Sequence, residues 1–336
     1  MTLRTPRLLT SKPISYHNGL YLALNWRDPL VLPQRLTCYD TILDLVGNTP
    51  MIHLTRMGSG CVYAKAEFLN PAGSIKDRVA KHIIERAEEN GDLRPGYTIV
   101  EATSGNTGIA VAFVGRLKGY RVIICMPSDM SEERKKIIRA LGAELVETPA
   151  EEGISGACIR AEEIRAQIPN SYLLGQFVNP LNPDAHYVST APEIWEQMSG
   201  KIDAFVAGVG SGGTLTGVGR YLKERLPNVI IAAVEPENAA ALLGHEPGFH
   251  QIQGIGDGFV PPVLDVELID EIITVSDDDA IRTTRELAAI EGCLVGTSSG
   301  ANVWSALKLA EKLGSSAKIV TVLPDRAERY FSTSLL

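Results

Sequence analysis

Lys76 stands in Asn70-Pro71-Ala72-Gly73-Ser74-Ile75-Lys76-Asp77-Arg78, after a tight turn and at the expected first turn of a helix. A helix N-terminus disfavours an ammonium and lowers its pKa, and a neutral amine is what attack on an aldehyde requires. A lysine in a mixed-charge run is, taken alone, more commonly a surface residue. Gly208-Val209-Gly210-Ser211-Gly212-Gly213 follows a strand pattern and opens a helix pattern from Thr214. Its backbone N–H groups and the helix end can cradle a phosphate with no cationic side chain, and Ser211 and Thr214 add hydroxyl donors. The same run matches G-x-G-x-x-G, and Glu235 lies 22 residues past Gly213. An acid there could hold a ribose, so this segment alone leaves NAD binding open. Thr103-Ser104-Gly105-Asn106-Thr107-Gly108 is a second anion-binding turn, suited to a carboxylate, with the Asn106 amide free for a phenolate-like oxygen. Its plain alternative is a capped strand-to-helix turn. In Gly296-Thr297-Ser298-Ser299-Gly300 a serine serves either as an N-cap or as a hydroxyl facing a ligand's ring nitrogen.

These turns need strands and helices to position them. Tyr97–Val100, Arg121–Met126, Ala143–Val146, Ala204–Ala207, Val229–Val234, Ile272–Val275 and Ile319–Leu323 read as strands. Between them Thr107–Leu117, Ser131–Leu141, Thr214–Arg225 and Ala301–Leu313 read as helices, and Ser276 before three aspartates reads as a helix cap. The alternation predicts an α/β fold of two doubly wound lobes built on parallel sheets. Ligands in such folds bind beyond the carboxyl ends of the strands, where the turns around Gly105, Gly210 and Gly300 lie.

Composition narrows the function. A net charge of −8 without a basic stripe argues against nucleic acid. No apolar run of about 18 residues is present to span a bilayer. Five scattered cysteines without C-x-x-C point to a reduced, cytoplasmic setting, and six histidines without ligand spacing leave no metal site. Residues 1–38 carry Arg4, Arg7, Lys12, Arg27 and Arg35 against Asp28 alone. They read as a packed arm or as a transit segment, which would place the protein in an organelle matrix.

Eight segments in order carry a resemblance: Val46–Pro50, Asn70–Lys76, Thr103–Gly108, Gln176–Pro180, Gly208–Gly217, Ile252–Pro261, Gly296–Gly300 and Leu323–Thr333. From about Tyr39 onward the chain resembles the cysteine synthase (O-acetylserine sulfhydrylase) branch of the fold type II, tryptophan synthase β-like, pyridoxal-5'-phosphate enzymes. The resemblance implies a homodimer with an active site in the cleft between two lobes. It assigns residues 39–47 and 70–179 to a smaller mobile lobe, and 48–69 and 180–336 to a larger phosphate-binding one. It makes Lys76 the catalytic lysine that carries the cofactor, and places the phosphate on Gly210, Ser211, Gly212, Gly213 and Thr214. Asn106 would meet the ring 3'-oxygen and Ser298 the ring nitrogen. Thr103, Ser104, Gly105, Thr107 and Gln176 would bind the substrate carboxylate, with Gly254 and Gly256 flanking its side chain. The implied reaction is O-acetyl-L-serine plus sulfide to L-cysteine plus acetate. NAD binding recedes, because it leaves Lys76, Asn106 and Ser298 without a role.

Two departures from the resemblance stand out, and the first bears on specificity. Asp257 stands where many relatives carry a small apolar residue. It is either a solvent-facing turn residue or an added acceptor suited to an amine-bearing nucleophile. The second case implies β-replacement of the cystathionine, lanthionine or diaminopropionate type, or cysteine desulfhydration. Arg326-Ala327 replaces a small residue and glycine. No cation adjoins Gly256 in sequence to receive a phosphate, so O-acetylserine is preferred over O-phosphoserine as donor. A non-catalytic regulatory module is a further class, opposed by the presence of Lys76.

Overall fold

Among the described residues, short apolar runs bounded by glycine turns fold into two sheets. The computed structural model describes residues 38–58, 60–333 and 335, so the extension expected over residues 1–38 lies, apart from Cys38, outside the described residues. In chain order the first half contains β1 (Met51–His53), β2 (Val62–Lys65), α1 (Lys76–Asn90), β3 (Thr98–Ala102), α2 (Asn106–Leu117), β4 (Arg121–Pro127), α3 (Glu132–Ala140), β5 (Glu144–Thr148), α4 (Gly153–Gln167) and β6 (Ser171–Leu173). The second half contains α5 (Leu181–Ala185), α6 (Ala191–Gln197), β7 (Ala204–Gly208), α7 (Gly213–Lys223), β8 (Ile230–Pro236), β9 (Glu271–Val275), α8 (Asp277–Glu286), α9 (Thr297–Leu313) and β10 (Ile319–Val322).

One sheet runs β5-β4-β3-β6 and is parallel throughout. The other runs β1-β2-β10-β7-β8-β9 and is parallel except at one edge, where β1 pairs antiparallel with β2. That short pair is absent from the sequence expectation. Alternate strand residues face opposite sides, so a strand covered on both faces reads as a continuous apolar run. Ile99, Val122 and Ile124 pack with Ile83 of α1 and Ile109 of α2, while Val100, Ile123 and Cys125 pack with Ala157 and Ala161 of α4. In the larger sheet Val206, Val234 and Ile319 meet Val303 and Leu309 of α9. Their neighbours Phe205, Ile231 and Val320 meet Val218 and Leu222 of α7. Both sheets are thus covered by helices on two faces, as the doubly wound expectation requires.

The ends of the elements follow local chemistry. The Ser276 hydroxyl accepts the Asp279 N–H at 3.1 Å and starts α8. Gly91, at φ +78, ends α1 with its N–H on the Ala87 and Glu88 carbonyls. Between α5 and α6 the chain makes a π-helical turn over His186–Thr190, a geometry that re-aims side chains within a helix.

Candidate active site

The carboxyl ends of β3, β7 and β10 open onto one cavity. Its wall includes Lys76, Thr103, Ser104, Gly105, Asn106, Thr107, Gln176, Gly210, Ser211, Gly212, Thr214, Gly254, Asp257 and Ser298. The structure therefore brings together all the residues proposed from sequence except Gly213 and Gly256.

Lys76 is the first residue of α1. The preceding turn is fixed at both ends: the Ile75 N–H donates to Pro324 O at 2.9 Å, and the Ala72 N–H donates to the Asp77 carboxylate at 2.6 Å. Burial lowers the Lys76 pKa from the usual lysine value, opposed by the Asp257 and Glu101 carboxylates. Desolvation, rather than the helix end invoked from sequence, is therefore the leading cause of the shift. The Nζ lies 3.3 Å from the Ser211 hydroxyl, so the amine and the glycine turn share one site.

Two glycines of that turn have no room for side chains. A Cβ at Gly210 would fall on Gly254 O, and one at Gly212, whose φ is +81, would lie 2.8 Å from the Leu264 Cβ. α7 has no side-chain cap, so its first-turn N–H groups are available to an anion. Thr214 Oγ1 is 3.2 Å from His186 Nε2, and the other ring nitrogen is 2.9 Å from Thr190 Oγ1. Burial, with Lys76 and Arg78 nearby, holds the His186 pKa well below the usual value, so the ring is neutral. Gly213 itself faces Asn182 rather than the cavity, because the Asn182 amide fills the space its Cβ would take. Asn182 ties the turn down, donating to Gln176 O at 2.7 Å and to the Ser211 hydroxyl at 3.0 Å.

The 103–107 turn is equally braced. The Gly105 N–H donates to Thr103 Oγ1 at 2.9 Å, and the Thr107 hydroxyl donates to Gln176 Oε1 at 2.6 Å. Behind Gln176, the buried Glu101 carboxylate accepts the N–H groups of Gly175 at 2.7 Å and Gln176 at 3.3 Å. Burial pushes the Glu101 pKa up to about 8 despite those donors. Asn106 donates one amide hydrogen to Asp325 at 2.7 Å, and its oxygen accepts from Arg329, leaving the second amide hydrogen for a ligand. Ser298 lines the cavity from the first turn of α9.

Asp257 faces the cavity rather than solvent, and burial raises its pKa against the pull of Lys76 and His250. Gly254, at φ +97, also lines the wall. Gly256 turns away, since a Cβ there would meet Pro236 Cγ at 2.6 Å. Its N–H instead donates to Val209 O at 2.9 Å, which ties the loop to the glycine turn. Glu235 is not on the cavity wall; its carboxylate accepts the Leu242 N–H, which removes the ribose-binding reading. Arg326 donates to Phe68 O at 2.8 Å and so braces the approach to Lys76. Sequence reasoning missed Glu101, Arg134, Asn182 and His186, each of which meets a site residue from 28 or more positions away in the chain. The buried amine, its pKa lowered, and the uncapped helix end in one cavity suit imine formation with an aldehyde that bears a phosphate.

Comparison with known proteins gives this cavity a context. A family described as "Pyridoxal-phosphate dependent enzyme" matches residues 42–325. A cysteine synthase of Staphylococcus aureus is 48% identical over 300 residues, covering 88% of this chain and 96% of the relative. The crystal structure of an O-ureido-L-serine synthase matches with a TM-score of 0.85 at 44% identity, covering 89% of this chain and 95% of that one. An O-acetylserine dependent cystathionine beta-synthase from Helicobacter pylori matches with a TM-score of 0.85 at 43% identity, covering 89% and 99%.

Proposed function

The chain belongs to the pyridoxal-phosphate dependent enzyme family, and we propose that it performs β-replacement on O-acetyl-L-serine, with sulfide entering and acetate leaving to give L-cysteine. The observation that supports this best is the 3.3 Å approach of the Lys76 amine to Ser211 on the uncapped glycine turn.

The cavity fits the cofactor. Gly210, Ser211, Gly212, Gly213 and Thr214 are its phosphate cradle in this reading, and an added Cβ at any of the three glycines would collide. The free Asn106 amide hydrogen serves the ring oxygen, and the Ser298 hydroxyl serves the ring nitrogen. A neutral serine there, in place of a carboxylate, would give a bound ring nitrogen no counter-charge for its protonated form. Pyridoxal phosphate, when bound, supplies an electron sink for the Cα–H bond. Lys76 Nζ, whose burial shifts it toward the uncharged amine, takes the Cα proton. The N–H groups and hydroxyls of Thr103, Ser104, Gly105 and Thr107, with Gln176, hold the carboxylate and so fix which substrate bond faces the amine. Residues 39–47 and 70–179 are proposed to close as a smaller lobe against the remainder, which excludes water from the reacting carbon.

Asp257 supports a second reading. A carboxylate on the cavity wall is an acceptor for the ammonium of an amino-acid nucleophile, as in cystathionine formation. The test supplies cofactor-loaded protein with O-acetyl-L-serine and follows acetate release with sulfide, cysteine or homocysteine present. Cysteine formation that is abolished in Lys76→Ala is expected. Acetate release that persists in Lys76→Ala would refute the role given to the amine. Preference for an amino-acid thiol that Asp257→Asn reverses would install the second reading.

A further inference from the structure

Arg134 lies in the first turn of α3 and only 2% of its surface is exposed. Its side chain reaches the cavity wall beside Ser104 and Gly105, so close that a Cβ at Gly105 would fall on its Nε and Cδ. One guanidinium arm donates to Gln253 Oε1, and the group lies 4.8 Å from the centroid of the Tyr330 ring. The Nε is buried without a partner. Among the described residues no carboxylate pairs with it: Asp325 is engaged by Asn106, Tyr330 and Arg329, while Asp257 responds to Lys76 and His250. A buried cation without a counter-ion is unfavourable, and a ligand anion would relieve it. The adjoining 103–107 turn offers N–H groups and hydroxyls but no charge of its own.

We propose that Arg134 is a specificity-determining residue whose guanidinium supplies the positive charge that draws the amino-acid substrate's α-carboxylate onto the 103–107 turn. The inference rests on the reaction proposed above. It explains the glycine at position 105, whose missing side chain is the gap the guanidinium occupies. It also places a cation in a cavity where sequence neighbours offered none.

The test uses the cofactor-loaded enzyme and reads the change in its visible spectrum on titration with O-acetyl-L-serine and with its α-amide, O-acetyl-L-serinamide. Arg134→Gln should retain the cofactor spectrum and raise the half-saturating concentration of the acid about 10- to 100-fold, the scale of a lost charge-assisted hydrogen bond. Its preference for acid over amide should fall by a similar factor while kcat changes less than about threefold. Half-saturation within about threefold of the parent, with the acid-over-amide preference intact, would overturn the proposal. So would an Arg134→Gln effect confined to competition by O-phospho-L-serine, since the charge would then serve the leaving group. Should Arg134→Gln not hold cofactor, Arg134→Lys decides: it keeps the charge but loses the planar fork, so a roughly 3- to 10-fold rise is expected and no change refutes. A parent enzyme spectrally silent to O-acetyl-L-serine sinks the reaction and this inference together; a responsive parent unmoved by the substitution sinks this inference alone.

Discussion

Removing the Arg78 guanidinium should destabilise the fold through the carboxylates it leaves behind. Arg78 is 3% exposed and donates to both oxygens of Glu67, at 2.7 and 2.8 Å, and to both oxygens of Glu193, each at 2.7 Å. Glu67 is fully buried and also accepts from Thr49 at 2.7 Å and Asn70 at 2.8 Å. Burial pushes the Glu67 pKa up, but the charge and hydrogen bonds of Arg78 win and hold it below the usual range. Lys65 reaches Glu193 at 2.7 Å, so two cations face two carboxylates. Arg78→Met keeps the length of the stem and leaves that cluster one positive charge short. Breaking a buried pair from one side costs about 3–5 kcal/mol. At roughly 2–4 °C per kcal/mol for a chain of this class, the melting temperature should fall by about 6–20 °C. The loss should deepen from pH 5 to pH 8. Without Arg78 the folded pKa of Glu67 rises above its unfolded value, and such a group loses stabilisation as pH climbs through the folded pKa. Urea unfolding of both proteins at the two pH values measures this. The double variant Glu67→Leu with Arg78→Met should recover most of the loss, since no orphaned charge then remains at position 67. A loss under about 1 kcal/mol, or one equal at both pH values, refutes the argument. Asn70, which Glu67 anchors, begins the turn leading to Lys76, so the same network stands behind the proposed catalytic lysine.

Two further predictions concern the cavity. Gly213→Ala puts a methyl onto the Asn182 amide and displaces the bond from Asn182 to Ser211, so cofactor affinity measured by equilibrium dialysis should fall about tenfold, the worth of one lost hydrogen bond; unchanged affinity would remove Asn182 as a support of the turn. Glu101, with its pKa pushed up to about 8 from 4.5, holds its proton more tightly folded than unfolded. Its contribution is therefore full below about pH 4.5 and lost as pH rises through about 8, an upper bound of about 5 kcal/mol at 1.36 per unit. Glu101→Gln carries a fixed cost where its amide faces an N–H donor, yet should gain on the parent between pH 5 and pH 9. Urea curves that move in parallel across that range would show that Glu101 is not protonated in the fold.

Alternation of apolar and helical segments was readable from sequence because strands covered on both faces must be apolar at consecutive positions, as Val122–Met126 and Ala204–Ala207 are. The chemical turns were readable for a local reason too: a glycine-rich strand-to-helix junction exposes its own N–H groups, whatever surrounds it. β1 and β2 were not, since three- and four-residue strands carry too little pattern to separate from loops. Which side of a turn faces the cavity was also undetermined. Gly254 lines the wall and Gly256 does not, because Pro236 packs against the latter. Asp257 could have faced water or the site with equal local logic, and only the packing of its loop over Val209 and Gly210 turns it inward. Arg134 is the clearest case. It meets Gln253 across 119 residues of chain, and nothing in its own helix distinguishes it from the exposed Lys136 and Arg139. Sequence specifies what each segment can do alone, while burial, pKa and counter-ions belong to neighbours that only the tertiary fold supplies.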